Sequence, residues 1–247
     1  MPQKLAAALV SERQRPALRE LVHLVKRHLR ERAAAVRVAD QKRPAADRAG
    51  EAPDAAQRAG VRHIVYGSAG VGTPTGVGSW DSKLAVEARI RDLDLPLTVL
   101  RPMAFMELMT DKGLFPPVAM WHLMPKLTGA DRPIPWLAVD DLGAIAAKAF
   151  ADRDRFIGAD LKLVADIRSN AECRNIWREV TGRTPRRFPM PTWLFERFVG
   201  TDLTTMWRWL HNNHVAADTV ETYTVLPTAS TVREWLSKRQ ASTGTHR

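Results

Sequence analysis

The sequence predicts an α/β fold built on a parallel sheet, with a mostly helical C-terminal part. Three observations predict it. Residues 63–66 and 97–100 are short aliphatic or β-branched runs that empty into loops of small or special residues, as buried strands do. A glycine-rich connection and an apolar-periodic helix carrying Lys83 lie between them. Strand, small-residue loop, helix and strand is the grammar of a parallel crossover, which sets a ligand crevice at the strands' carboxyl ends. A functional site is therefore expected in the stretch 59–106.

Composition bounds the reading. A chain of 247 residues has room for one α/β domain with an appended subdomain, or at a stretch for two small domains. A hydrophobic fraction of 45% and a mean hydropathy of -0.26 suit an ordinary globule with a real core. No apolar run approaches the roughly 18 residues of a membrane helix. The N-terminus is charged and lacks a hydrophobic signal segment, so a cytoplasmic location is the expectation. The single cysteine, Cys173, excludes an internal disulfide and a cysteine-rich metal site, and reads as a buried inert thiol inside a helix. The net charge of +10 raises the question of nucleic acid. Its arginines, however, are spread along the chain and interleaved with acids, with no basic helix or basic–aromatic stripe, which disfavours that partner.

Taken in order, residues 5–10 and 18–29 have helical spacing, with Leu18, Leu21, Val22, Val25 and Leu29 able to share a face. Residues 33–39 could be strand or helix, and 40–53 reads as a loop or linker broken by Pro44, Gly50 and Pro53. Residues 54–59 form a last helical turn closed by Gly60, and 61–66 the first strand. The loop 67–78 holds Gly67, Gly70, Gly72, Gly76 and Gly78. A helix follows over 81–93, with Asp81 or Ser79 as N-cap and an inner face of Leu84, Ala85, Ala88 and residues 90–93. The strand 97–100 is expected to stop at Arg101-Pro102.

Residues 104–109 and 115–124 are rich in Met, Phe and Trp and either line a pocket or pack a core, with core the favoured reading. A strand over 134–139 precedes a helix over 142–151 capped by Asp140 and Asp141. Residues 161–164 form another strand. Ser169-x-x-Glu172 is a capping box opening a helix over 171–181 that Gly182 ends. Helices over 193–199, 203–211 and 232–239 complete the chain.

Several of these pieces together carry a likeness. They are AAQRAGVRHIVYGS, SAGVGTPTGVG, SWDSKLAVEARIRD, LPLTVLRPMAFME, IPWLAVDDLGAIAAKAF, and FIGADLKLV followed by REVTGR. In order and spacing the chain from about residue 55 to 238 resembles the NmrA-like branch of the atypical short-chain dehydrogenase/reductases. The resemblance implies a Rossmann-like parallel sheet, here incomplete, and a small helical substrate subdomain. The expected division is an irregular segment 1–55, the C-terminal half of an NAD(P)-binding domain over 56–165, and a helical subdomain over 166–247. NADP is the implied cofactor. By position, Gly67, Ser68 and Ala69 pass the nicotinamide ribose, Lys83 hydrogen-bonds it, and Pro102, Met103, Ala104 and Phe105 bracket the nicotinamide ring. No metal is implied.

Two departures shape the functional expectation. The dehydrogenase dyad needs a tyrosine four residues before the lysine, and Ser79 stands there; its hydroxyl is too weak an acid for that proton transfer. The family's opening strand, G-x-x-G-x-x-G loop and helix hold the pyrophosphate, and no such motif occurs in the sequence, where no glycine precedes Gly50. Cofactor binding is thus expected to be weak or defective. Three readings follow: an NAD(P)-binding reductase-type protein, a non-catalytic redox-sensing regulator or interaction module, and an inactive truncated product. A cut edge of a parallel sheet would also favour a homodimer. The substrate or regulatory partner is not readable from the residues.

Overall fold

The computed structural model describes residues 50–111 and 115–244. The expectations for 5–10, 18–29, 33–39 and most of the 40–53 linker lie outside the described residues. In chain order the first elements are α1 (Glu51–Arg58), β1 (Ile64–Gly67), α2 (Gly78–Asp92), β2 (Leu97–Pro102) and β3 (Ala104–Phe105). After a 3-10 turn at Met106–Met109 and a π-helical turn at Ala119–Leu123 come α3 (Met124–Thr128), β4 (Ile134–Leu137), α4 (Val139–Ala151) and α5 (Arg153–Phe156). Then follow β5 (Asp160–Leu163), β6 (Asp166–Arg168), α6 (Asn170–Thr181), α7 (Thr192–Val199), α8 (Asp202–Asn212), α9 (Val220–Val225) and α10 (Val232–Gly244). The class is α/β, with small, largely parallel sheets and many helices.

The chain divides into two compact units interleaved in sequence. One takes the described residues up to Arg101 together with Gly143–Leu161. Its sheet has the order β1-β2-β5, with β1 and β2 parallel in the register Ile64↔Leu97 to Gly67↔Leu100. Every residue of β2 is buried, as a central strand requires. Ile90, Leu97 and Val99 form a core against which Ile64, Tyr66, Val86 and Leu95 pack. Gly60 takes φ 63° just past the end of α1, so the chain can turn back into β1. Arg89 donates to Asp54 at 2.6 Å and pins α1 to α2.

The expectation that Arg101-Pro102 ends the strand is corrected, since β2 runs through both residues. Pro102 is the last residue of the strand.

The other unit takes Pro102–Leu142 and the described residues from Lys162 onward. Its sheet has the order β3-β4-β6; β3 and β4 are parallel, whereas β4 and β6 are antiparallel with Trp136 opposite Asp166. The methionine-rich region packs a core: Met106, Met109, Met120, Leu123 and Met124 are at most 1% exposed. The Ser169/Glu172 capping box opens α6, and Gly182 at φ 68° ends it.

Asp140 and Asp141 do not cap α4 as expected. The helix starts at Val139, whose N–H is taken by the Glu107 carboxylate at 3.1 Å, while Asp141 accepts from the Ser230 N–H. A helix N-terminus needs an acceptor, and a residue 32 positions upstream supplies it.

Candidate functional site

The loop that follows β1 begins by extending the sheet, with Ser68 N–H donating to Leu100 O at 2.8 Å. Gly67 is exposed, but Ser68 and Ala69 are each 1% exposed. The loop then returns to α2, which starts at Gly78, three residues earlier than expected. Neither Ser79 nor Asp81 is its N-cap. Val77 occupies that position, and the Asp81 carboxylate instead accepts from the backbone N–H groups of Thr75 and Gly76, each at 2.8 Å. Those bonds hold the Asp81 carboxyl below its usual range and fasten the loop to the helix. Gly76 sits at φ 77°, a turn that a side chain would strain.

The inner face of α2 also differs from the expected one. Ala85 and Ala88 are exposed, whereas Trp80, Glu87 and Ile90 are buried and Lys83 is half-buried. The spacing of Trp80, Lys83, Glu87 and Ile90 puts all four on one helical face. Lys83 therefore points its stem inward. Burial lowers its pKa, and no hydrogen bond or ion pair engages its ammonium among the described residues.

Sequence reasoning missed Glu87 and Arg101. Glu87 is 1% exposed and Arg101 is 5% exposed. The guanidinium forms a bidentate pair with Glu87, Nη1 to Oε1 at 2.9 Å and Nη2 to Oε2 at 2.8 Å. It also donates to Asp160, Nη2 to Oδ2 at 2.6 Å, and to the Ala69 carbonyl at 3.2 Å. Ser68 Oγ donates to Glu87 Oε1, and Arg91 adds a 3.0 Å contact to the same carboxylate. Burial alone would raise the Glu87 carboxyl; the bonds from Arg101, then Ser68, hold it below its usual value. The same environment pushes Tyr66 up to about 12, through burial first and the Glu87 charge second. The only signal in the sequence was a charged residue in step with Trp80 and Ile90.

The residues expected at the cofactor thus distribute as follows. Gly67, Ser68, Ala69 and Lys83 share one unit. The Ser68 hydroxyl is already given to Glu87 and its side chain is enclosed. Pro102, Met103, Ala104 and Phe105 belong to the other unit, Pro102 and Ala104 buried, Met103 and Phe105 half-buried.

That second unit has its own cleft of about 540 Å³, whose walls include Arg132, Lys162, Leu210, His214 and Glu221. None of the residues expected at the cofactor lines it. Glu107 is buried at 2% exposure, and burial pushes its carboxyl up to about 7. Cys173 is fully buried and burial pushes its thiol well up, which makes it inert. Among the described residues no group of three or more His, Cys, Asp or Glu could hold a metal ion, and no helix is long and apolar enough to cross a membrane.

Comparison with solved structures confirms the architecture. A nucleoside-diphosphate-sugar epimerase from Staphylococcus aureus superposes with a TM-score of 0.64 at 14% identity, covering 80% of this chain and 74% of that one. The Citrobacter sp. triphenylmethane reductase complexed with NADP(H) gives 0.62 at 16% identity, over 78% and 70%. NmrA, a negative transcriptional regulator, in complex with NADP, gives 0.57 at 18% identity, over 82% and 72%. At such identities the likeness is one of fold, here Rossmann-like. No curated protein matches the sequence. The family model of the NmrA-like family matches residues 51–236, well over half of the chain. This protein belongs to the NmrA-like family.

Proposed function

We propose that this chain is an NAD(P)-binding protein of the atypical short-chain dehydrogenase/reductase type with a weak hold on its cofactor, and that Lys83 donates to the nicotinamide ribose. The observation that supports it is the state of Lys83. A half-buried ammonium with no acid or acceptor among the described residues lacks a partner for its charge and its donors, and ribose hydroxyls supply acceptors. The exposed backbone of Gly67 suits close approach of a ligand. Ser68 and Ala69 fit less well, because they are enclosed and the serine hydroxyl is committed to Glu87. Pro102, Met103, Ala104 and Phe105 are assigned to the ring by resemblance. The cofactor itself would supply the hydride chemistry.

The hold is weak because pyrophosphate needs a glycine turn opening a helix, and the sequence has no G-x-x-G-x-x-G. Fluorescence titration of the purified protein with NADPH tests this. The expected Kd is about 100 μM or weaker, corresponding to roughly −5.5 kcal/mol. Tight low-micromolar binding would overturn the reading. Replacing Lys83 by Ala should abolish the residual binding, and an unchanged affinity would remove the ribose role.

A second reading is favoured by Ser79 in the slot of the proton-donating tyrosine: a non-catalytic regulator that senses the nicotinamide pool. NADPH consumption with a quinone acceptor separates the two. No turnover despite measurable NADPH binding supports the regulator, and turnover supports the reductase.

A further inference from the structure

The unit made of Pro102–Leu142 and the residues from Lys162 onward carries an aromatic outer surface. Phe188, Trp193 and Phe198 are 58%, 67% and 78% exposed. Phe115, exposed as well, lies two residues before Pro117, whose carbonyl accepts the Phe188 N–H at 2.8 Å. The exposure does not come from a loosely held helix. On α7 the Phe195 ring is 3% exposed and stacks on Trp207 of α8 at 6.0 Å. Glu196 accepts from Thr204 at 2.6 Å and pairs with Arg208 at 3.1 Å. The helix is thus seated through the face of Phe195 and Glu196. At about 100° per residue, Trp193, Leu194, Arg197 and Phe198 share the opposite arc. Large aromatic side chains left in water on a fixed element mark a surface that another body covers.

Charge says what that body is. Residues 182–200 hold four arginines, Arg183, Arg186, Arg187 and Arg197, all exposed, against the single acid Glu196. Glu196 is taken by Arg208, and among the described residues no acid pairs with the four. Arginines that look dispersed along the sequence here stand beside aromatic side chains that the fold leaves outside. The complement is therefore an anionic partner with an apolar layer beneath its charge. A second copy of this chain docked through the same face would set the same arginines against one another. Residues 18–32, with five Lys or Arg against two Glu, are no complement either. A single-stranded nucleic acid asks for a groove floored by aromatic platforms, whereas these side chains protrude from the outside of a helix, beside Pro189, Met190 and Pro191.

We propose that this face docks peripherally on an anionic lipid surface, with Phe188, Trp193 and Phe198 entering the boundary between headgroups and acyl chains and Arg186, Arg187 and Arg197 meeting lipid phosphates. Aromatic rings settle at that boundary, and guanidinium groups match phosphate oxygens in pairs. Such docking needs no spanning helix. The seating of α7 on Trp207 presents the rings in place, so little ordering is needed on contact.

Flotation of the intact chain with vesicles in low-salt buffer tests this, using phosphatidylcholine alone and phosphatidylcholine with about 30% phosphatidylglycerol. The expected result is binding to the anionic vesicles about tenfold tighter than to the neutral ones, weakened by high salt. The double variant Trp193→Ser/Phe198→Ser should bind about tenfold more weakly with an unchanged Tm, since both side chains stand outside the core. Arg186→Gln/Arg187→Gln should also bind about tenfold more weakly. Arg62→Gln, at an exposed arginine of the other unit, should bind as the parent does. Absence of binding to the anionic vesicles, equal binding to the neutral ones, equal binding by the aromatic variant, or a lowered Tm that makes Trp193 and Phe198 packing elements would each overturn the proposal. So would a dimer that the aromatic substitutions dissociate, or single-stranded DNA whose binding, in place of vesicle binding, depends on Trp193 and Phe198. The vesicles contain no nicotinamide, so failure here leaves the Lys83 reading standing.

Discussion

Arg101 and Glu87 face each other from the central strand and the helix beside it, 14 residues apart in sequence, and join in a bidentate pair with both side chains buried. The pair fastens the helix that carries Lys83 to the strand whose neighbour feeds the loop at Ser68. Asp160 adds a second carboxylate to the guanidinium from the edge strand β5, and Arg91 supplies the second cation.

Breaking this pair from one side should be costly. Glu87→Leu leaves the buried Arg101 with Asp160 alone, and Arg101→Leu leaves the buried Glu87 with Ser68 and Arg91, so each single variant should lose about 3 kcal/mol. The double variant should lose far less than the sum of the two. Urea unfolding of the three variants measures this, and additive losses would show that the pair is not coupled.

Acid should loosen the same unit. The folded Glu87 carboxyl lies below its unfolded value, so its contribution is present above the unfolded pKa and is lost as pH falls through the folded one. Thermal melts from pH 6 downward should show a declining Tm, and Glu87→Gln should flatten that decline while starting from a lower plateau.

Glu107 has the opposite sign. Its folded carboxyl is raised to about 7, so stability is fully present below the unfolded value near 4.5 and is lost as pH rises through about 7. Glu107→Gln keeps an acceptor for the Val139 N–H and carries no charge. It should therefore raise stability by about 2–3 kcal/mol at pH 8 and change little at pH 4, which paired melts would detect. An equal effect at both pH values would assign the change to packing.

Lys83 should trade stability for ligand binding. Its ammonium is destabilised by burial, so Lys83→Met should raise stability at pH 7 by about 1 kcal/mol while removing NADPH binding. A variant that is less stable than the parent would mean that the ammonium has a partner in the fold.

The capping box offers a local measure. Ser169 accepts from the Glu172 N–H at 3.1 Å and Glu172 accepts from the Ser169 N–H at 2.7 Å. Ser169→Ala should cost about 1 kcal/mol. Gly182→Ala, at φ 68°, should cost a similar ~1 kcal/mol. Chemical denaturation of each checks the magnitude.

Features that depend on near neighbours are legible in the residues alone. The strands around residues 64–66 and 97–100, the helix between them, the Ser169/Glu172 box and the stop at Gly182 all rest on periodicity or cap chemistry within a few residues. The collinear motifs likewise sufficed for the family. Tertiary structure decided which way α2 faces. Apolarity alone turns Ala85 and Ala88 inward; the fold turns Glu87 inward, because Arg101 and Ser68 satisfy its carboxylate. It also decided that Glu107 caps α4, and that the short strand Asp166–Arg168 exists, since those residues become a strand only by pairing with β4. Burying a charge is unfavourable until a distant partner arrives, and no local pattern records where that partner will come from.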